Sequence, residues 1–595
     1  MQIVLLCITI AFGAVLVYQP HFDYPYPLLG DEYVHLSLGK YVLEERALPF
    51  TNPYFSVPFP HVNFESGFDL LLAGLFLLTP GDPVLQYKFF AVAFFILNSL
   101  LLYRLVSVWF KNYWAALFAV FFFGTIKSEA SFLAHQYFIP LTLGITLLLL
   151  SFLLFHAWIE KRRRQYPLLL AGTLTALALS YPPALFFFIG VILTYILSMN
   201  HSLHEGFHIT KERFFWYFLG VAAIITTLFI GALSFFQMLG KIMFFSGWNN
   251  IETPLSPIFF FGIVPSVLAA IGLYTVAVPK HETAKVPLYW FLCSFGLLSV
   301  FYLFDFSIFI PTPRLFVFYL IGVSILAGAG FSFLLQFGKR FLPSTRVAAF
   351  AVVLLSSPLI FHYYTTFSKP LEFQKVLTPK IHAALVFLER EYPGNGIVIA
   401  DSVTSIGVYP VSGKHVVNLL NTNIGGGSTR EARLFITKDC REKRSDIMDQ
   451  FSFYTGTIDL TTRPFFLLSS TKQNCPVFLE ALYDKGPYIY KINGYEYLHA
   501  STALSGNTLE GDDWIEYYRE DGSVHGTKKS TGESYTGTWS SSGGPEFCIV
   551  YAFDKKKTSC WKVSVRNGDV RSFDIERKPV PWRDARHLSG NPYNL

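Results

Sequence analysis

Two adjacent carboxylates, Asp31 and Glu32, stand in the stretch PLLGDEYVHLSLGKYVLE, residues 27–44. Such a pair can take a proton from an attacking hydroxyl or hold a divalent cation. Leu36, Leu38, Val42 and Leu43 are apolar among polar positions, which predicts an amphipathic helix lying along a membrane surface. Asp31 and Glu32 then open that helix, where its dipole favours negative charge. A structural role suits the same place, with Asp31 as N-cap and Glu32 as a first-turn acid. His61 and Glu65 in HVNFESGF, residues 61–68, are candidates for an acceptor or a metal. So are Glu129 and His135 in IKSEASFLAHQY, residues 126–137, although His135 also reads as a polar loop residue. Arg314 in FIPTPRL, residues 309–315, is the only basic residue of its short loop. A guanidinium offers phosphate a bidentate fork, or it snorkels to an interface.

What must position these residues is a membrane bundle. The chain has 595 residues, 52% hydrophobic and only 15% charged, with mean hydropathy +0.40. That balance excludes a purely soluble, disordered or fibrous protein. Phe 62 and Tyr 33 against Cys 6 exclude a disulfide scaffold. The net charge of +6 is not a nucleic-acid signal, because most basic residues sit in short gaps between apolar runs. About eleven runs approach the roughly 20 residues a span needs: 3–18, 84–109, 113–126, 137–158, 166–181, 183–199, 214–237, 256–278, 288–304, 315–337 and 346–363. The pair around Tyr181-Pro182-Pro183 and the run 113–126 are short.

Orientation follows from basic residues in short loops. With a cytoplasmic N-terminus the inner gaps hold 13, from Arg104 and Lys111 through Lys161–Arg164 to Arg346; the outer ones hold Lys127, Lys241 and Arg314. The stretch GFDLLLAGLFLLT, residues 67–79, is too short to span, and counting it would invert everything after it. It is expected as an interfacial or re-entrant helix in a long first outer loop, residues 19–83. The N-terminus lacks the basic region of a signal peptide and reads as an uncleaved first span. Residues 1–365 form the expected membrane domain.

An odd number of spans puts the polar remainder outside. Residues 366–500 alternate helix and strand signals and predict a small α/β domain; residues 508–580 predict a small all-β domain with Asp-Gly and Asn-Gly turns. Cys440, Cys475, Cys548 and Cys560 all fall here, an even number in an oxidising compartment. The simplest pairing is Cys440–Cys475 and Cys548–Cys560, each within one domain.

The order of parts resembles the GT-C superfamily of membrane glycosyltransferases, which includes protein mannosyltransferases, lipid A sugar transferases and oligosaccharyltransferase subunits. The resemblance lies in a first span, a loop with the acidic motif Gly30-Asp31-Glu32-Tyr33, a helix His35–Glu44, the motifs at Pro49–Tyr54 and His61–Phe68, and the short helix Phe68–Leu78. It covers residues 1–363 in architecture and about 28–80 in motif. It implies Asp31 as catalytic base with Glu32 as partner, and Arg314 on the phosphate of a lipid carrier. The second acidic motif of that superfamily is absent: Glu129 is the only acid in its loop, and His135-Gln136 stand where a pair is expected. A metal-free site is therefore the reading, with one magnesium or manganese on Asp31, Glu129 and His135 as the alternative.

One argument is independent of resemblance. Inner loops are too short to hold a nucleotide-sugar domain, and the candidate residues face outward. The donor must then travel in the bilayer, as a polyprenyl-phosphate sugar does. The expected reaction is inverting transfer of one sugar to an extracytoplasmic lipid, glycan or protein, at the bacterial plasma membrane. A flippase of lipid-linked glycan or an en-bloc oligosaccharyltransferase is the alternative; no Trp-Trp-Asp motif supports the second. The third class, a membrane-anchored binding protein, leaves the bundle and its acids unexplained. Neither the sugar nor the acceptor is encoded in readable form.

Overall fold

The computed structural model describes residues 2–28, 30–48, 52–55, 65–79, 81–126, 135–199, 261–277, 285–304, 307, 310–338, 375–419, 429–437, 464–473, 479–492, 504–541, 546–554, 558–566, 569–573 and 585–595. The chain forms two compact units. The first is Met1–Leu48 with Asn63–Lys375, and the second is Pro49–Val62 with Val376–Leu595. A piece of the first loop thus groups with the C-terminal part.

The first unit is all helix: α1 Gln2–Tyr18, α2 Gly30–Glu45, α3 Ser66–Leu78, α4 Pro83–Phe110, α5 Tyr113–Thr125, α6 Pro140–Lys161, α7 Gln165–Ser180, α8 Pro182–Met199, α9 Ile263–Ala277, α10 Val286–Phe304 and α11 Thr312–Gly338. Among the described residues five are long and apolar enough to cross a membrane, α1 (with the turn after it), α4, α6, α10 and α11; five shorter ones are apolar. The expected runs 214–237 and 346–363 lie outside the described residues. Local chemistry sets the joints. Lys111 ends α4 in the left-handed region, and the side chain of the next residue, Asn112, accepts from Trp114 N and Ala115 N to start α5. Asp82 caps α4, with Pro83 at its first position. Helices α9 and α11 touch backbone to backbone: a Cβ on Gly272 would lie 1.9 Å from Leu326 O, and one on Gly330 2.0 Å from Leu268 O. Small residues give this close approach where lipid removes the hydrophobic drive for association.

The second unit holds two sheets. The first has strand order β2-β1-β3-β5-β4, built from β1 Ile397–Ile399, β2 His415–Val416, β3 Phe465–Ser469, β4 Leu479–Tyr483 and β5 Tyr488–Ile492. Strand β1 pairs parallel with β2 and β3, and the other pairs are antiparallel. Helices α12 Pro379–Glu391, α13 Ser402–Ser412 and α14 Thr429–Thr437 complete the expected α/β part. Asp401 caps α13 and Gly413, at φ 66°, closes it. The returning loop piece is stitched in here: Val416 N donates to Tyr54 O at 2.8 Å, and Tyr54 Oη to Ile406 O at 2.8 Å.

Strands β6 Asn507–Glu510, β7 Trp514–Tyr518, β8 Ser523–Lys528, β9 Ser534–Ser541, β10 Glu546–Tyr551, β11 Ser559–Arg566, β12 Asp569–Phe573 and β13 Ala585–Leu588 form a closed barrel. Pairing of β13 with β6 closes it, so the all-β region runs past residue 580. Cys548 and Cys560 face each other across β10 and β11 and form a disulfide. Cys440 and Cys475 lie outside the described residues.

Candidate active site

Helix α2 begins at Gly30, so Asp31 and Glu32 are both first-turn residues and point about 100° apart. Glu32 turns inward and is 1% exposed. One carboxylate oxygen accepts from Leu28 N and the other from Phe138 N, each at 2.7 Å. It therefore ties the approach to α2 to the approach to α6. Tyr87 of α4 donates to the carbonyl of the same Phe138. Asp31 turns the other way, with 32% of its side chain exposed.

Arg314, in the first turn of α11, reaches Asp31: Nη2 lies 3.3 Å from Oδ2. The start of that helix is pinned by a hydroxyl pair, Ser307 with Thr312. One turn beyond Asp31 on α2 is His35, on the same helix face. Its Nδ1 lies 3.0 Å from Asp69 Oδ1 and its Nε2 3.4 Å from Glu65 Oε2. Asp69 is fully buried in α3, a helix otherwise without charge. A carboxylate in such surroundings needs a partner, and His35 supplies it.

The corner between α7 and α8 brings in Tyr181, which is 4% exposed. Its ring lies over Gly144 of α6, where a Cβ would come within 2.7 Å of it. The preceding Ser180 lies against Gly67 of α3, where a Cβ would be 2.7 Å from its Oγ. The Tyr181 hydroxyl and Arg314 Nη1 are buried and have no hydrogen-bond partner among the described residues. Each idle donor costs about 1–3 kcal/mol.

Titration follows from this crowding. Burial pushes the Glu65 carboxyl up to about 7, with His35 and Arg314 pulling the other way and Asp69 and Asp31 adding to the rise. Burial alone would lower His35, but the bond to Asp69 and the charges of Asp69, Glu65 and Asp31 outweigh it, so its pKa is raised. The cluster thus combines a partly exposed carboxylate beside a fixed cation, a carboxyl poised near neutrality, and an imidazole held between two acids.

No family model matches the chain, and no curated protein matches it. Solved structures do. An archaeal oligosaccharyltransferase, AglB from Archaeoglobus fulgidus, in complex with an inhibitory peptide and a dolichol-phosphate, aligns over 79% of this chain and 69% of its own at TM-score 0.52 and 12% identity. The Archaeoglobus fulgidus enzyme in complex with Zn and sulfate aligns over 82% and 72% at TM-score 0.51 and 13% identity. ArnT from Cupriavidus metallidurans bound to undecaprenyl phosphate aligns over 82% and 97% at TM-score 0.45 and 14% identity. The chain has the GT-C fold.

Within this GT-C fold the sequence-based candidates separate. Asp31 meets Arg314, Glu65 meets His35 one turn along α2 from Asp31, and Glu32 has both oxygens on backbone amides. His135 packs edge-on against Phe123 and Phe95, with ring centroids at 4.2 and 5.4 Å. Glu129 and His61 lie outside the described residues. Of the expected metal set Asp31, Glu129 and His135, then, only Asp31 stands in the described cluster. Among the described residues no group of three or more metal-ligating side chains is arranged around a common point. His35, Asp69 and Tyr181 were not singled out from sequence. A lone acid inside GFDLLLAGLFLL, residues 67–78, was a signal for Asp69; a tyrosine ahead of two prolines offered none.

Proposed function

We propose that the chain is a membrane-embedded glycosyltransferase that moves a sugar from a polyprenyl-phosphate-linked donor to an acceptor on the face of the membrane that carries the first loop. The observation that carries this reading is the meeting of Asp31 and Arg314, 283 positions apart in sequence, at 3.3 Å on a GT-C fold. A base and a phosphate-binding cation are the two groups the transfer needs. The acceptor hydroxyl attacks the anomeric carbon as its proton passes to the Asp31 carboxylate. The bond from that carbon to the phosphate oxygen breaks, and the oxygen leaves with the electron pair, stabilised by the Arg314 guanidinium. A single displacement inverts the anomeric carbon. Glu32 holds α2 so that Asp31 faces the site. His35, bridging Asp69 and Glu65, fixes α2 against α3. Magnesium or manganese is given no step, since the described residues do not assemble a ligand set for it. The basic residues of the short loops support an outward-facing site in a bacterial plasma membrane.

Membranes from cells expressing the wild type or Asp31→Asn, each supplied with radiolabelled sugar on polyprenyl phosphate, test the reading. Label that enters lipid, polysaccharide or protein only with the wild type is the expected result, and the labelled fraction names the acceptor. Intact oligosaccharide appearing on protein would instead select en-bloc transfer. Equal label with Asp31→Asn, or none with either form while both are folded, would sink the proposal.

A further inference from the structure

Four acids stand where α2 meets α3, and they are not equivalent. Glu32 and Asp69 are buried, the first bonded to two backbone amides and the second to His35. Asp31 and Glu65 each keep 32% of the side chain exposed. Asp31 has Arg314 at 3.3 Å, and Glu65 has His35 at 3.4 Å. Asp31 and His35 are four residues apart on one face of α2, so their Cβ atoms lie about 5–6 Å from each other. Glu65, in contact with His35, is the next accessible acid along that face.

What holds Glu65 there is the imidazole. Glu65 occupies the N-cap position of α3, yet its side chain makes no capping bond. His35 Nδ1 lies 3.0 Å from Asp69 Oδ1, and the ring stands edge-on to Phe68 at 5.2 Å. Both contacts fix the ring with Nε2 toward Glu65. A purely apolar contact would join α2 to α3 without burying a carboxylate, and a buried ion pair is often no more stable than such a contact. The line Asp69–His35–Glu65 therefore calls for a role at its accessible end. Asp31 and Glu65 together offer two acceptors side by side. A lone hydroxyl answers only one of them, and a phosphate meets two like charges. A sugar ring with hydroxyls on neighbouring carbons answers both.

We propose that Glu65 binds a second hydroxyl of the acceptor, beside the one that Asp31 deprotonates, and that His35 and Asp69 are its positioning pair. The acceptor is then a sugar ring with neighbouring hydroxyls. This assignment rests on the transferase reading and adds the acceptor class to it.

The test follows transfer by the full-length chain in membranes, with radiolabelled sugar on polyprenyl phosphate as donor. The acceptor probe is the glycan-bearing fraction extracted from the same cells, added in graded amounts. Periodate and then borohydride open rings at neighbouring hydroxyls and spare isolated hydroxyls and phosphates; this treatment should abolish acceptor function. Glu65→Gln should raise the half-saturating amount of acceptor about 10-fold or more, as loss of a hydrogen bond to a charged group does. Its rate at saturation should stay within about threefold, the split expected of a binding contact. Asp69→Asn should move half-saturation the same way by less. A merely structural pair would instead lower the thermal midpoint and the saturated rate with half-saturation unmoved. Unchanged half-saturation in Glu65→Gln would remove Glu65 from the acceptor, and a rise there without one in Asp69→Asn would remove the positioning pair. Transfer that survives periodate would overturn the sugar-ring class and leave the transferase reading intact. A folded wild type that transfers nothing would take down that reading and this inference with it.

Discussion

Two carboxylate clusters in this chain have opposite finish. In the barrel, Glu516 is 1% exposed and accepts from Tyr518 Oη at 2.6 Å, Tyr551 Oη at 2.7 Å and Tyr535 Oη at 2.9 Å. The rung Glu516–Gly526–Tyr535 explains the fit: the missing side chain at Gly526 is where the Tyr535 ring lies. Every donor there has its acceptor. In the membrane unit, Asp31, Glu65 and Asp69 crowd with Arg314, His35 and Tyr181, and two buried donors are left over. A satisfied cluster specifies a fold, while buried donors without partners cost stability. Burial of charge alone does not separate the two; the count of idle donors does.

The contrast can be broken in four ways. The largest effect is expected at Asp31→Asn, which should lower sugar transfer by about 10²–10⁴-fold while thermal stability holds, as loss of a general base does. Measured stability falling in step with activity would erase the distinction. Next is Glu516→Leu, which strands three tyrosine hydroxyls and should cost the barrel about 3–5 kcal/mol, seen as early protease cleavage after about residue 504, with transfer per folded molecule unchanged. Cys548→Ser with Cys560→Ser opens a loop of sequence separation 12 and should cost about 2–3 kcal/mol in the same assay.

The smallest effect is in pH. Glu65, lifted to about 7 from 4.5, and His35, also raised, both hold protons more tightly folded than unfolded. The folded chain then binds the extra protons, so these groups stabilise at low pH; the Glu65 contribution is lost between about 4.5 and 7, and that of His35 as pH rises above 6.5. The thermal midpoint should fall as pH is raised through neutrality, and Glu65→Gln should flatten the part below 7. A midpoint that climbs over that range would contradict the shifts.

Much of this was readable from residues. Leu36, Leu38, Val42 and Leu43 marked α2 as an amphipathic helix; the helix is there, but burial runs unbroken from Glu32 to Gly39, with Glu32, His35 and Ser37 enclosed by their hydrogen-bond and ion-pair partners, and Leu43 is only partly buried. The brevity of residues 67–79 kept α3 from being read as a span, and it is a helix of 13 residues. Asp-Gly at Asp521-Gly522 marked the turn between β7 and β8. Other features had no local trace. The direction of Glu32 depends on Phe138, 106 positions away, and the place of Tyr181 on two glycines in other helices. Barrel closure needs β13 to find β6 across the whole domain. Helix α13 carries Pro410 inside it, which argues against a helix in any local reading.

The chain crosses between its two units at residues 48–49, 62–63 and 375–376. Tyr54 leaves the ribosome 352 residues ahead of Ile406, the carbonyl its hydroxyl will meet. At synthesis rates of about 5–20 residues per second, that is a wait of roughly 20–70 seconds. The α/β part cannot finish until an early piece of chain, already delivered with the first helices, is captured by one made much later. Cutting the gene between the units would not give two self-sufficient halves, because one half would keep a segment the other requires.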